Sequence, residues 1–585
     1  MKEKTNYPSI DKTHLQGISN FKLHPFIPNM SVYNSIKLMN IPYMNNIAID
    51  CLDLSLNYKE LIKNSNVIAK SLIELGVKPG QIITVCMPNY AQAVEIFLAA
   101  NKIGVTVSFI NSFAKKEETI KYLNYFESPI FINYNKDKEH NKEIKGKTKV
   151  RNIITLDKND LNRKDFNRIN GKLIGYDDLV TFSDLGLVSD FQKGYFKTNF
   201  NGNQDALILF TSGTTGEPKS VLITNKNILA SGIYTKNTCE IKPTADESCL
   251  VCVPFCYPYG FATSVLMSLL CGRTAILAPD LSKDNIEYFM KKNPNIIFGS
   301  PALLELIKRN VSDGVDLSSC KDFITGGDFL FPKNRKEGIE FFKKHNSNIG
   351  IYEGSGNAEG LGTLTSSYVK NPKLGTVGKL LVGSDAIIIN HDTGKELKYN
   401  EEGELCVTGD HIFKGYFKNE ELTKDAKFMY KGKEYFKTGT LGLLDEDGFF
   451  TLTGRVSRFY IVSSLDKVHC DNVQNIISLI DVVENVCLVG KPDDDMLFTG
   501  KAFIVLKPNV PKTEETKKYI ISECEKQFIN QNGKRVQLKP YEIPASITFL
   551  DELPRNKLSD KIDYKLLNKL VAEEYKLEKL ERTRK

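Results

Sequence analysis

The sequence predicts an α/β chain: a large N-terminal part of parallel sheets covered by helices, a β-rich subdomain within it, and a smaller α+β part at the C-terminus. Three observations carry this reading. From residue 58 the apolar periodicity alternates between helix and strand. Residues 375–455 break into short strands with turn signals, and after Arg455 the pattern becomes mixed α and β, ending in charged helix. At 585 residues the chain exceeds what one hydrophobic core serves, so two or more domains are expected.

The elements follow in order. "YKELIKNSNVIAKSLIELGV" places apolar residues at helical spacing and stops at Gly76. "QIITVCMPN" is a buried-strand run, "YAQAVEIFLAANKIG" a second helix stopped by glycine, and "VTVSFIN" a second strand. Repeated βα units of this kind build a mostly parallel sheet. Residues 134–204, rich in Asn, Lys and Asp, read as surface elaboration; the alternation resumes at Asp205 and continues to about residue 370. "DAIIINHDTGKE", "NEEGELCVTG" and "LLDEDGFFTLTGR" then mark the β-rich subdomain.

Composition excludes several classes. With 41% hydrophobic and 25% charged residues the chain is an ordinary globular one. A net charge of +7, from 78 basic and 71 acidic residues, is too small for its length to point to nucleic acid. No unbroken apolar run reaches membrane-spanning length, and "MKEKTNYPSIDKTH" lacks the apolar core of a signal peptide. A cytoplasmic protein with its 12 cysteines reduced is therefore expected. Cys249, Cys252 and Cys256 sit on a strand-like run with no histidine nearby, and read as buried small hydrophobes rather than metal ligands.

The most informative stretch is "LILFTSGTTGEPKSVLITNKN". Gly213–Ser220 nearly spells a P-loop, except that Pro218 stands where the second glycine belongs. Proline has no N–H and a fixed φ, so it cannot take that place in a phosphate cradle. What remains is a loop of hydroxyls (Thr211, Ser212, Thr214, Thr215), two glycines (Gly213, Gly216) and the cation of Lys219, led into by a strand. Converging donors and positive charge suit a polyphosphate; the same residues are also ordinary turn formers.

Three further motifs follow in order: "IYEGSGNAEG" (Ile351–Gly360), "YFKTGTLGLLDEDGFFTLTGR" (Tyr435–Arg455) and "ELPRNKLSDKIDYKLL" (Glu552–Leu567). With the loop they resemble the adenylate-forming (AMP-binding) superfamily, over roughly residues 45–570, and within it the acyl-CoA synthetases and fatty-acid–CoA ligases. The resemblance implies a large domain (1–457) that takes ATP and acid, with a β-rich subdomain at 375–455, and a small mobile domain (458–585). It implies a ligase that joins a carboxylic acid, a fatty acid by this reading, to ATP as acyl-AMP and passes it to coenzyme A. Delivery to a carrier-protein phosphopantetheine and a non-catalytic descendant of the fold are the alternatives. Thr211, Ser212, Gly213, Thr214, Thr215, Gly216 and Lys219 would hold phosphates. Glu359 would coordinate Mg²⁺, and Gly326 and Gly327 would let backbone approach adenine. Arg455 would contact ribose, Arg458 would mark the hinge, and Lys561 would be the catalytic lysine.

Four positions depart from the family pattern. Thr440 replaces the aspartate that accepts both ribose hydroxyls, and Ser355 the aromatic that stacks on adenine beside Gly356. Ala358 replaces the threonine next to Glu359, and Asp560 the glycine before Lys561. A charged acceptor contributes about 1.5–3 kcal/mol against roughly 1 for a neutral one, so the Thr440 change alone predicts about tenfold weaker ATP binding.

Overall fold

The computed structural model describes residues 5–15, 25–134, 138–156, 179–181, 200–211, 219–244, 246–328, 330, 332–369, 372–462, 467–529, 535–555 and 562–584. Two large sheets organise the first three quarters of the chain. In the first, an eight-stranded sheet, the strands Asp205–Phe210, Thr106–Phe109, Ile82–Cys86, Ile130–Tyr134, Asn152–Leu156 and Leu179–Thr181 run parallel in that spatial order. Ser220–Thr224 and Gly415–Tyr416 add antiparallel strands at the Asp205–Phe210 end. The second sheet has nine strands, parallel from Gly350–Ser355 through Asp322–Thr325, Ile296–Gly299, Ser248–Val251 and Thr274–Leu277 to Ile47–Cys51.

The expected α/β class is what the chain forms, with two adjustments. Asn152–Leu156 and Leu179–Thr181, inside the stretch read as surface elaboration, extend the first sheet. Their polar sequence surroundings hid two strands that continue the sheet outward from Ile130–Tyr134. The run "YPYGFATSVLMSLLCG" forms a π-helix over Tyr259–Leu266 that continues as α-helix to Leu270.

Local chemistry fixes the helices. Asn57 and Glu60 form a capping box that starts Tyr58–Glu74, and Gly76 leaves it at φ +78°. Thr224 and Asn227 do the same for Asn225–Thr238, and Ser300 caps Pro301–Asn310. Helix Ala91–Lys102 is buried on nearly every side, packed in a core that takes side chains from both large sheets. At its centre Phe261 lies 4.9 Å from Phe97, 4.7 Å from Phe109 and 5.1 Å from Phe255, ring centre to ring centre.

A five-stranded antiparallel sheet follows: Asp385–Ile389, Gly403–Thr408, Lys433–Leu444, Lys427–Tyr430 and Phe450–Arg455. Beyond Arg455 the chain forms the hairpin Phe459–Ile461/Lys467–His469 and a three-stranded sheet, Val483–Asp493, Leu497–Leu506 and Ser546–Leu550. Helix Tyr564–Arg584 packs Leu567 and Val571 on that sheet. Eleven of the twelve cysteines are buried, Cys252 being half-buried, and all are free thiols. Burial pushes the Cys51, Cys239, Cys256 and Cys470 thiols up to about 12.

Phe261→Ala would empty the aromatic centre of the main core. It is expected to cost about 3–5 kcal/mol, read as a lower urea midpoint.

Candidate active site

A single cleft of about 1690 Å³ opens where the large sheets, the five-stranded sheet and the C-terminal part meet. Its walls include Thr211, Lys219, Gly326, Gly327, Gly356, Ala358, Glu359 and Arg455, so residues from four separated motifs converge on it. Ser212, Gly213, Thr214, Thr215 and Gly216 lie outside the described residues, as do Asp560 and Lys561. What is described of the phosphate-type loop is its base. Thr211 N–H donates to the Lys219 carbonyl at 3.1 Å, continuing the antiparallel pairing of Phe210 with Ser220. Among the described residues the buried Thr211 hydroxyl has no hydrogen-bond partner.

Lys219 and Glu359 are joined through a residue the sequence reading passed over. The Tyr416 hydroxyl donates to Glu359 Oε1 at 2.7 Å, and the Lys219 ammonium sits 5.3 Å from the centre of the Tyr416 ring. Burial and the neighbouring carboxylate hold the Tyr416 phenol well above its ordinary value, so it remains a donor. Tyr416 reaches this place because the two-residue strand Gly415–Tyr416 pairs with Leu222 and Val221 on the edge of the first sheet. Glu359 is 8% exposed and follows the parallel strand Gly350–Ser355 through a turn that Asn357 closes onto the Gly360 N–H.

Glycines shape the wall between strands. Gly327 has φ +88°, and a Cβ on Gly356 would fall 2.3 Å from the Gly362 carbonyl oxygen. Ser355, by contrast, is not part of the cleft wall; its N–H donates to Thr365 Oγ1 at 3.3 Å.

Thr440 is 3% exposed, and its hydroxyl oxygen accepts from Arg455 Nη1 at 2.8 Å. The two residues face each other across antiparallel strands. Burial lowers the pKa of the Arg455 guanidinium, with Asp471 and Glu359 pulling the other way. A second polar pair lies on the cleft wall nearby. Buried Glu404 accepts the Gly439 N–H at 3.0 Å, and His391 Nδ1 lies 2.8 Å from its other oxygen. Nothing in the spacing of His391 and Glu404 announced that pairing. Cys249 and Cys256 are buried and Cys252 is half-buried.

Comparison with known proteins identifies the family. The family model for the AMP-binding enzymes matches residues 42–417, and that for the AMP-binding enzyme C-terminal domain matches 472–559. The chain belongs to the AMP-binding enzyme family. It is 26% identical over 525 residues to luciferin 4-monooxygenase of Photuris pensylvanica, covering 88% of this chain and 89% of that one. It is 26% identical over 466 residues to probable 4-coumarate–CoA ligase 1 of Dictyostelium discoideum, covering 77% and 80%. A long-chain-fatty-acid–CoA ligase of Bacillus subtilis (strain 168) is 28% identical over 377 residues, 63% of this chain and 61% of that one. The fold matches ATP-bound MatB from Rhodopseudomonas palustris with a TM-score of 0.78 at 21% identity, over 93% of this chain and 99% of that one.

The Thr440–Arg455 pair makes a sharp expectation for nucleotide affinity. Thr440→Asp keeps the partner for Arg455 and adds a second, charged oxygen, so ATP should bind about fivefold more tightly, with 2′-deoxy-ATP gaining less. Titration calorimetry of both proteins with both nucleotides measures it.

Proposed function

We propose that the protein is an ATP-dependent acid–thiol ligase that activates a carboxylic acid as acyl-AMP and transfers it to coenzyme A. The observation that carries this reading is the convergence of Lys219, Tyr416, Glu359 and Arg455 on one cleft, which Ile562–Lys565 from the C-terminal part also line. In the first step a carboxylate oxygen attacks the α-phosphorus of ATP and the bond to pyrophosphate breaks. In the second, a thiol sulfur attacks the acyl carbon, the bond to AMP breaks, and the thiol proton leaves to solvent.

The first step brings an anion onto a polyanion, and cations must offset the repulsion. Lys219, with the loop from Thr211, is the group at hand for the phosphates. Mg²⁺ takes few protein ligands when phosphates supply the rest, and one carboxylate suffices. Glu359 fits that duty: it is buried at the cleft wall, and Tyr416 fixes its orientation through one oxygen. When bound, the ion would neutralise phosphate charge. Arg455 and Thr440 would hold the ribose, and Gly326 and Gly327 the adenine edge. Lys561 would reach the α-phosphate from the small domain, which we place at 458–585 with its joint at Arg458 and the large domain at 1–457.

The acid is read as apolar, and a fatty acid is the class we favour. Met267, Phe298, Leu303 and Leu306 line the cleft, with Tyr259 and Thr263 of the π-helix beside them. The relatives above are named for luciferin, 4-coumarate and long-chain fatty acids.

Pyrophosphate release over a panel of fatty and aryl acids, with and without coenzyme A, tests the proposal. Release with at least one acid, and thioester only when the thiol is present, is the expected result; silence across the panel with millimolar ATP would remove the ligase reading. Lys561→Ala should lower acyl-AMP formation by about 10² or more while sparing thioester formation from supplied acyl-AMP. Equal loss of both steps would mean that the lysine is structural.

A further inference from the structure

The C-terminal helix begins inside the cleft, and its first residue is held there in an unusual way. The Arg458 guanidinium carbon lies 3.7 Å from the centre of the Tyr564 ring. Its edge is engaged at the same time: Nη1 pairs with Asp471 Oδ1 at 2.6 Å, and Nη2 donates to Gln474 Oε1 at 3.3 Å. Gln474 is fixed in turn by the Leu488 N–H at 2.8 Å. A planar guanidinium with its edge hydrogen-bonded and one face on an aromatic ring uses both recognition modes open to arginine. The ring packs against the apolar cluster of Cys487, Val489, Phe503, Leu553, Leu567 and Val571.

This stack is the last link of a chain that starts at the nucleotide side of the cleft. Thr440 holds Arg455 through a hydrogen bond, and Asp471 sits against Gly454, where a Cβ would be 3.3 Å from its carboxylate. Burial pushes the Asp471 carboxyl up, against the opposing pull of Arg458 and Arg455. The segment that carries Lys561 is tied at both ends close to Tyr564. Arg555 and Ile562 form an antiparallel bridge, and Asp563 N–H donates to the Pro554 carbonyl at 2.8 Å. Ile562, Asp563, Tyr564 and Lys565 all line the cleft that Glu359 lines.

We propose that Tyr564 is a positioning residue: its ring clamps the Arg458 side chain and so keeps the start of the C-terminal helix at the nucleotide cleft for acyl-AMP formation. The proposal rests on the ligase reading above for its catalytic consequence, but not for the clamp itself. Loss of the ring removes one of the three contacts on Arg458, those of Asp471 and Gln474 remaining, and the clamp is assigned to the first half-reaction alone.

Two variants separate the ring face from the volume it fills. Tyr564→Leu fills space without a π face, and Tyr564→Phe keeps the face. Tyr564→Leu should lower acyl-AMP formation about tenfold to a hundredfold, the scale of a small misplacement, with thioester formation from supplied acyl-AMP nearly unchanged. Tyr564→Phe should behave as wild type in both. A second readout needs no catalysis: trypsin can cut after Arg458 only when its side chain leaves the stack, so Tyr564→Leu should be cut there about tenfold faster than wild type or Tyr564→Phe. Equal loss of both half-reactions in both variants would make Tyr564 merely structural and overturn the proposal. Wild-type behaviour of Tyr564→Leu in the half-reactions and in trypsin would also overturn it. If wild type forms no acyl-AMP from any acid, the ligase reading falls. The clamp is then judged by trypsin alone, upheld by faster cutting of Tyr564→Leu and overturned by equal cutting.

Discussion

Arg455 is a half-buried guanidinium on the cleft wall, and the groups packed around it make that burial tolerable. It is hydrogen-bonded to Thr440 across an antiparallel pair of strands, with Asp471 on its other side. Removing one partner from such a group leaves a buried charge uncompensated, which costs more than the pair contributes. At Arg455 the end of the five-stranded sheet comes under the influence of the Asp471 carboxylate of the C-terminal part. The cleft between them inherits its shape from that constraint. Lys219 and Tyr416 come from the edge of the first sheet, Glu359 from the turn after a strand of the second, and Arg455 from the five-stranded sheet.

The fold was largely legible because its core elements are strongly periodic and well punctuated. Helix Tyr58–Glu74 declared itself through apolar spacing and a stop at Gly76, while its cap at Asn57 emerged only in the structure. The strands with buried patterns on both faces, such as Ile82–Cys86, read as continuous apolar runs. Asn152–Leu156 and Leu179–Thr181 escaped because a polar stretch diluted their pattern, and Gly415–Tyr416 because two residues carry no periodicity at all.

The site was legible where a motif is contiguous in sequence, as with Glu359 and the glycines that precede it. It was illegible where function depends on a tertiary partner. Tyr416 reaches Glu359 across 57 positions of sequence, and His391 meets Glu404 only because a hairpin folds back. Thr440 illustrates the intermediate case. The substitution of a neutral acceptor for a charged one was visible in the motif, but that Arg455 already occupies its hydroxyl was not. A residue type can be read from a sequence; whether its hydrogen-bonding capacity is spent cannot.

The cysteines give the molecule a property of another kind. A thiol reacts with alkylating reagents as its thiolate, and only when the reagent can reach it. Eleven buried thiols, several held near 12, are thus silent toward such reagents in the native chain. They are also spread through every layer, from Cys51 in the second sheet and Cys86 in the first to Cys406 in the five-stranded sheet and Cys487 beside the C-terminal helix. The chain carries its own set of local opening reporters: whichever part loosens first becomes the part that labels first, and the order of labelling maps the order of unfolding without any introduced probe.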